Sequence, residues 1–204
     1  MRQSGGRAEL EIEGVIITEW SNSYFPAEDS ILLLKSIGRG GGLFADVGTG
    51  SGIIGIAAAL KGYDVVAADT DPAALEDARA NADANGADIA HVRCNLLDAF
   101  RCRFSLIAFN PPYLPDGDHP DRQLTGGPSG VEISLRLLES AERLLEQDGA
   151  VLLVASSLGD TAMLKEKASA WSFEECAGLS LDFERLTLYR CRLRGRRGAS
   201  SPRR

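Results

Sequence analysis

The sequence predicts one α/β domain, with a doubly wound, mostly parallel seven-stranded sheet that ends in an antiparallel hairpin. Apolar strand-like runs alternate with helix-like segments between residues 42 and 171, which favours parallel strands joined by helices. The last two strands follow each other with no helix between them, so they should pair antiparallel at one side of the sheet. A length of 204 residues, with 44% hydrophobic and 25% charged residues, suits one globular domain.

Each element is predicted from its apolar spacing and its boundary residues. The segment LEIEGVIITEW (10–20) alternates loosely and predicts a short hairpin or an edge strand. Asp71 followed by Pro72 is typical of a helix N-cap and first helical position. The predicted strands cover 42–47, 64–69, 88–94, 104–110, 149–156, 172–182 and 183–193, and the predicted helices cover 27–37, 53–60, 71–86, 131–148 and 160–171.

Charge divides the chain into an acidic body and a basic end. Seven arginines and no acid occur from Arg190 onward, so the total of −7 leaves −14 on residues 1–189. Such a body argues against a phosphate-tracking surface, while the tail could touch RNA or an acidic partner. We expect an N-terminal extension or edge strand over 1–20, the main domain over 21–194, and a basic disordered tail over 195–204.

Several classes of protein are disfavoured by composition. No apolar run approaches the roughly 18 residues of a membrane span, and the start has no apolar stretch typical of a secretory signal. We therefore expect a cytoplasmic protein. The four cysteines form no C-x-x-C pair and only two histidines occur, so no metal site is predicted.

A glycine loop, ADVGTGSGIIG (45–55), joins the strand 42–47 to the next helix, where backbone N–H groups can meet a ligand. Gly50, Gly52 and Gly55 satisfy the dinucleotide fingerprint, which by itself is a weak indication. In a second register, Asp46 ends the strand and Gly48, Gly50 and Gly52 follow it. The carboxylate of Asp46 would repel a pyrophosphate but attract an ammonium group, which favours the second register.

The ends of the next two strands carry further candidates for a nucleoside site. Asp69 ends a strand 21 residues after Gly48, and an acid about 20 residues on commonly binds ribose hydroxyls. Asp71 competes for that role, but it already suits a helix cap. After the strand 88–94, Asn95 or Asp98 could accept from the amino group of adenine, and Leu96 could line its ring.

The motif NPPY (110–113) follows the fourth strand of the sheet. Pro111 and Pro112 fix their φ angles and have no backbone N–H, so they hold Asn110 and Tyr113 in a stiff turn. The side-chain oxygen of Asn110 and the carbonyl of Pro111 could each accept an N–H from a planar amide or amine, which would position its nitrogen for attack. Tyr113 could stack on such an acceptor.

These motifs together resemble the HemK-like protein glutamine methyltransferases. SYFPAEDSILLL, DVGTGSGIIGIAAA, AADTDPAAL, FNPPYLP and GGPSGVE occur in the family's order over roughly residues 22–190, most similar to the short archaeal and eukaryotic branch. The resemblance implies a Rossmann-like class I fold and S-adenosylmethionine as the methyl donor. It also implies a GGQ glutamine of a class I release factor as acceptor, and a small zinc-ribbon activator as partner.

The resemblance completes the set of expected site residues. Donor contacts are expected from Ser30, Asp46, Gly48, Gly50, Gly52, Asp69, Thr70, Asn95 and Leu96, and the acceptor clamp from Asn110, Pro111, Pro112 and Tyr113. Phe25 and Asn95 depart from the family, which often has a polar residue and an Asp at these positions. The activator would need an exposed edge strand, for which 88–94 is the candidate.

Alternatives remain open from the sequence. An RNA or DNA methyltransferase acting on an exocyclic base amine would use the same NPPY chemistry, and lysine methylation is a further possibility. A nicotinamide-dependent oxidoreductase would use the other glycine register, but it predicts a separate substrate domain. Asp29 can be a first-turn helix acid or a pocket residue, Gly126 and Gly130 can be turn glycines or admit a substrate, and Glu132 can close the acceptor pocket.

Overall fold

The strands and helices alternate along the chain in the computed structural model, which describes residues 2–4, 7–20, 25–117 and 124–195. In chain order the elements are β1 (Arg2–Ser4), β2 (Arg7–Ile12), β3 (Val15–Ile17), α1 (Glu28–Lys35), β4 (Leu43–Val47), α2 (Ile53–Leu60), β5 (Asp64–Asp69), α3 (Pro72–Ala84), β6 (Ile89–Arg93), β7 (Phe104–Phe109), α4 (Glu132–Leu144), β8 (Leu145–Ser156), α5 (Thr161–Lys167), β9 (Trp171–Ser180) and β10 (Arg185–Leu193).

Seven strands form the central sheet in the order β6-β5-β4-β7-β8-β10-β9. The pairs from β6 to β8 are parallel, whereas β10 pairs antiparallel with both β8 and β9. The predicted doubly wound sheet and its C-terminal hairpin are therefore confirmed. The order reverses between β4 and β7, and ligands of open α/β sheets bind beside such a switch point, at the carboxyl ends of the strands.

Two apolar layers cover the faces of the sheet. On one face, Leu33 of α1 and Ile56 of α2 are fully buried against Phe44 and Leu152 of the strands. On the other face, α4 and α5 bury their apolar stripes against β7, β8 and the hairpin. Because both faces are covered, the central strands are mostly apolar, as the sequence shows.

The N-terminal hairpin of β2 and β3 packs on the first of these layers. Its attachment depends on Asn81 of α3, a fully buried amide. The side-chain oxygen of Asn81 accepts from the N–H groups of Thr18 and Glu19 at 2.8 and 2.9 Å, and its amide donates to the carbonyls of Glu19 and Ser51. One side chain thus joins the hairpin, α3 and the glycine loop.

The sequence prediction was wrong at the end of α4. A helix was expected over 131–148, but α4 ends at Leu144 and β8 begins at Leu145. Leu145 is 1% exposed and pairs with Phe104, after which the register shifts so that Leu106 faces Ala150. Burial of Leu145 in the sheet overrides the helical spacing, and the residues between the two pairings form a bulge. Similarly, α5 stops at Lys167, short of the expected 171.

Some expectations fall outside the described residues. The arginines beyond residue 195, the loop residues 118–123 and the residues 21–24 belong to this group. Within the described ranges, no helix combines the length and the apolar character that a bilayer crossing requires.

Candidate active site

A cleft of about 660 Å³ opens at the carboxyl ends of the strands, beside the switch point between β4 and β7. It gathers side chains that follow β4, β5, β6 and β7, together with residues of α1. Of the thirteen residues predicted from the sequence, twelve line it; the exception is Gly52. Gly52 precedes α2 with φ +82°, and a Cβ there would lie 3.1 Å from the backbone of Ala78, so this glycine allows α2 and α3 to pack closely.

The glycine loop is held against β5 by its own backbone. The N–H groups of Gly48 and Thr49 both donate to the carbonyl of Ala68, at 2.8 and 3.1 Å. Gly48 has φ +64° and Gly50 has φ +52°, conformations that side-chain-bearing residues rarely adopt. The loop therefore turns tightly from β4 into α2 and leaves its backbone open to the cleft.

Asp46 organises the start of this loop. Its Oδ2 accepts from the hydroxyl of Thr49 at 2.6 Å and from the N–H of Gly55 at 2.9 Å. Burial raises the pKa of Asp46 from 3.8 to about 6; these two hydrogen bonds oppose the rise and the charge of Asp69 adds to it. The result is a buried acid, lining the cleft, whose ionisation a positively charged ligand would favour.

Asp69 and Asp71 make different contacts in the structure. Asp71 caps α3, because its Oδ1 accepts from the N–H of Ala73 at 2.9 Å. Asp69 instead bridges the cleft residues: its Oδ2 accepts from the N–H of Gly50 at 3.1 Å, and its Oδ1 accepts from the N–H of Asp71 at 3.0 Å. Both carboxylates line the cleft, but Asp69 is the one that contacts the glycine loop.

The segment after β6 forms the next part of the wall. Leu96 has φ +49°, an unusual left-handed conformation for a branched side chain. It is half-buried and lies beside the exposed Asn95 in the cleft. Backbone strain of this kind is common where a loop serves a binding site.

Asn110 has a buried side-chain oxygen that no hydrogen-bond donor among the described residues contacts. The residue follows β7 and lines the cleft, next to the buried Pro111. A buried amide oxygen without a hydrogen-bond partner costs roughly 1–3 kcal/mol of stability. Such atoms are therefore rare unless a ligand or water donates a hydrogen bond to them. Asn110 belongs to the wall of the cleft, and a ligand N–H that reached this oxygen would satisfy it.

The loop GGPSG (126–130) supports the NPPY segment from behind. A Cβ at Gly126 would clash with the carbonyl of Pro112, and one at Gly130 would clash with the carbonyl of Tyr113. The carboxylate of Glu132 accepts from the N–H groups of Ser129 and Val131 at 3.1 Å each. Although burial alone would raise the pKa of Glu132, its own N–H and those of Ser129 and Val131 hold it below its ordinary value. The glycines therefore serve close backbone packing, and Glu132 fixes the loop.

The charge of the cleft is of one sign. Five carboxylates line it, and no lysine, arginine or histidine of the described residues does; the acids are Asp29, Asp46, Asp69, Asp71 and Glu184. Such a lining suits a cationic ligand and hydrogen-bond donors, and it opposes phosphate groups. In the described part of the chain, no group of three or more His, Cys, Asp or Glu side chains is arranged to hold a metal ion.

Comparison with known proteins agrees with this geometry. The methyltransferase small domain family matches residues 28–173. A protein of Methanocaldococcus jannaschii, named as a protein N5-glutamine methyltransferase, is 35% identical over 187 residues, which cover 87% of this chain and 95% of that protein. The chain belongs to the HemK-like class I methyltransferases. It is a methyltransferase that uses S-adenosylmethionine, and the acidic cleft fits that positively charged donor.

One further relative and one solved structure are also similar to this HemK-like methyltransferase. A release factor glutamine methyltransferase of Deinococcus radiodurans is 34% identical over 142 residues, covering 63% of this chain. The chain spans only about half, 51%, of that relative's length. A solved structure of a methyltransferase from Pyrococcus furiosus superposes with a TM-score of 0.68 at 24% identity, over 88% of this chain and 90% of that one, and it shows the shared fold.

The HemK-like site includes two acids that the sequence did not assign to it. Asp29 of α1 is 3% exposed and accepts from the hydroxyl of Tyr113 at 3.1 Å, so it is a pocket residue as well as a first-turn acid. Glu184 precedes β10 and lines the cleft from the C-terminal hairpin. No sequence motif pointed to Glu184, because its contribution depends on where the antiparallel hairpin packs.

Proposed function

We propose that this enzyme transfers a methyl group to the side-chain amide nitrogen of a protein glutamine, in the GGQ motif of a class I release factor. The observation that supports it most directly is the buried side-chain oxygen of Asn110, a residue of the cleft wall, because no donor of the described residues contacts this oxygen. The names of the relatives from M. jannaschii and D. radiodurans point to the same acceptor.

The donor half of the proposed site lies at the ends of β4, β5 and β6. In it, Asp46 attracts the ammonium group of the donor, Asp69 accepts from the ribose hydroxyls, and Asn95 accepts from the adenine amino group beside Leu96. The backbone of Gly48 and Gly50 admits the donor closely, while Ser30 and Thr70 line the same cleft. S-adenosylmethionine supplies the electrophilic methyl group when it is bound.

The acceptor half is the stiff turn at the end of β7. The side-chain oxygen of Asn110 and the carbonyl of Pro111 would accept the two N–H bonds of the glutamine amide, which holds its nitrogen toward the donor half. Because both partners are acceptors, they raise electron density on the nitrogen and stabilise the positive charge that develops there. Tyr113, fixed by Asp29, walls the pocket and limits the approach to a planar group.

Charge favours a protein acceptor over a nucleic acid. A nucleotide that carried its base amine to Asn110 would bring phosphates toward the carboxylates of Asp29 and Glu184. Nucleic-acid binding draws much of its affinity from cationic contacts, and no cationic side chain of the described residues lines this cleft. A glycine-flanked glutamine carries no such charge.

The proposal includes a zinc-ribbon activator and a cytoplasmic location. Strand β6 is the last strand on its side of the sheet, so its outer edge offers the backbone groups that a partner strand could pair with. Co-expression with a candidate zinc-ribbon protein should give a complex that purifies together. Recovery of the two proteins separately, each folded, would contradict this part of the proposal.

The acceptor can be tested by labelling. The purified enzyme and radiolabelled donor are incubated in separate reactions with three substrates. These are a release factor, the same factor with its GGQ glutamine replaced by asparagine, and total RNA. We expect label in the unmodified factor alone. Label in RNA and none in the factor would instead support a base-amine methyltransferase, and label on lysine would identify a different protein acceptor.

A further inference from the structure

Glu184 lies at the acceptor side of the cleft. It precedes β10, which is separated from β7 and Asn110 by β8 alone. Apart from Ser30 of α1, the residues expected to contact the donor follow β4, β5 and β6, on the other side of Asn110. A ligand group that reaches Glu184 therefore belongs to the acceptor molecule and lies beyond its reacting nitrogen.

The carboxylate of Glu184 is held in one orientation. Its Oε2 accepts from the hydroxyl of Ser156 at 2.6 Å, and Ser156 is only 2% exposed. The same hydroxyl accepts from the N–H of Leu158 at 3.1 Å, while the carbonyl of Glu184 accepts from the N–H of Leu181 at 2.8 Å. An O–H···O contact this short is typical of a charge-assisted hydrogen bond. Both the side chain and its turn are thus fixed before any substrate arrives.

Acceptor capacity remains on this carboxylate. An ionised carboxylate has about four lone-pair sites, and the bond from Ser156 occupies one of them. The neighbouring Arg185 pairs with Glu175 at 2.6 Å across the hairpin, so its guanidinium is engaged there. Half-buried in a cleft and already oriented, Glu184 is suited to accept an N–H from a bound molecule.

We infer that Glu184 is a specificity-determining residue that accepts a hydrogen bond from a main-chain N–H next to the methylated glutamine. The inference rests on the proposed function: in a Gly-Gly-Gln segment the flanking glycines have no side chain, so their only donors are main-chain N–H groups. Recognition of that N–H favours a glutamine within a peptide over a base amine, which has no main chain beside it. The negative charge of Glu184 also repels phosphate, which reinforces this choice.

The first test is the variant Glu184→Gln, with steady-state kinetics on a Gly-Gly-Gln peptide and on the intact release factor. Glutamine keeps the shape of the side chain and an oxygen for Ser156, but it presents an NH₂ group to the cleft. We expect KM for both substrates to rise roughly tenfold or more, because hydrogen bonds to charged groups are the stronger ones. The dissociation constant of the donor should stay the same, and the variant should remain folded, with the unfolding midpoint lowered only by the loss of charge in the bond from Ser156.

The second test removes the donor from the substrate. Peptides are N-methylated singly at the glutamine and at each flanking residue, and KM is measured with the wild-type enzyme and with Glu184→Gln. For the peptide that lacks the recognised N–H, we expect a roughly tenfold loss with the wild type and little further loss with the variant, since both changes remove one contact. Glu166→Gln, an exposed residue of α5, is the matched control and should behave as the wild type.

The outcomes separate this inference from the proposed function. Suppose that the wild type methylates the peptide or the factor, but Glu184→Gln leaves KM unchanged. Suppose instead that the losses from Glu184→Gln and from each N-methylated peptide simply add. In either case Glu184 has no such role, while the proposed function stands. If the wild type binds the donor and labels neither substrate, the proposed function fails and the inference falls with it.

Discussion

The hydroxyl of Tyr113 donates to the carboxylate of Asp29 over 3.1 Å, which connects the NPPY turn to α1 across 84 residues of sequence. Asp29 is 3% exposed, and its other oxygen accepts from the N–H of Ser30 at 2.6 Å. The pair joins Ser30, a residue of the proposed donor half, to the proposed acceptor half through two hydrogen bonds. It also gives the aromatic ring of Tyr113 one fixed orientation in the pocket.

Tyr113→Phe should therefore weaken the acceptor site more than the donor site. The ring remains, but the buried carboxylate of Asp29 loses a donor, which costs about 1–2 kcal/mol of unfolding free energy. We expect KM for the protein substrate to rise several-fold with the donor dissociation constant unchanged, as measured by kinetics and calorimetry. Tyr63→Phe is the matched control, since its hydroxyl lies beside Gly40 at the opposite end of the sheet. Equal effects from the two changes would count against a role for the Tyr113–Asp29 contact.

Asn110→Ala removes the oxygen that lacks a partner. We expect kcat to fall about a hundredfold or more, the loss typical of removing one preorganised polar contact to a reacting group. Donor binding should persist, and stability should hold or rise slightly, because the unsatisfied buried oxygen is gone. Single-turnover methylation, donor calorimetry and urea unfolding check the three parts. Full activity in a variant that still binds the donor would exclude the proposed clamp.

The raised pKa of Asp46 predicts that donor affinity and stability change in opposite directions with pH. Its folded pKa of about 6 lies above the ordinary 3.8, so the folded protein holds this proton more tightly than the unfolded chain does. The contribution of Asp46 to stability is thus largest below about pH 4 and is lost as pH rises toward 6. Donor affinity should change the other way and fall roughly tenfold from pH 7 to pH 5, as the carboxylate protonates.

Calorimetry and urea unfolding across this pH range measure both effects of Asp46. Asp46→Asn cannot ionise, so both profiles should flatten between pH 4 and pH 7, with weaker donor binding at neutral pH. If the donor affinity of the wild type is constant over that range, the ammonium contact assigned to Asp46 is wrong.

The glycine behind the NPPY turn should be sensitive to a single methyl group. Gly126→Ala places a Cβ against the carbonyls of Pro112 and Gly130, so the clamp must shift. We expect kcat to drop at least tenfold, with donor affinity retained, because a small misplacement of reacting groups is costly. Gly117→Ala, in open space on the same side, should leave both constants unchanged. Similar kinetics for the two alanine variants would show that this packing does not position the clamp.

Asn81 should matter for stability and for donor binding together. Asn81→Ala leaves the N–H groups of Thr18 and Glu19 and the carbonyl of Ser51 without their partner, which we expect to cost about 3 kcal/mol in urea unfolding. Donor affinity should also fall, since Ser51 belongs to the glycine loop. The exposed Glu76 of the same helix, changed to alanine, should have little effect on either measurement. Loss of stability without any loss of donor affinity would separate Asn81 from the donor site.

Most strands and helices could be predicted from local sequence patterns, because apolar runs and helix caps act through neighbouring residues. The apolar runs at 64–69 and 104–109 gave the strands within one residue, and Asp71 and Pro72 gave the start of α3. The pattern failed at Leu145, where helical spacing continued past the true end of α4. There, the pairing of Leu145 with Phe104 decided the outcome, and that contact is invisible to a window of neighbouring residues.

The sequence by itself determined the chemistry available at the ends of β4, β5, β6 and β7, because consecutive motifs on parallel strands must converge at one edge of the sheet. Only the tertiary structure decided which distant side chains complete that edge. Asp29 reaches Tyr113 through the packing of α1, and Glu184 enters through the antiparallel return of β10. These contacts join residues far apart in the chain, so they depend on how whole elements pack and not on any local spacing.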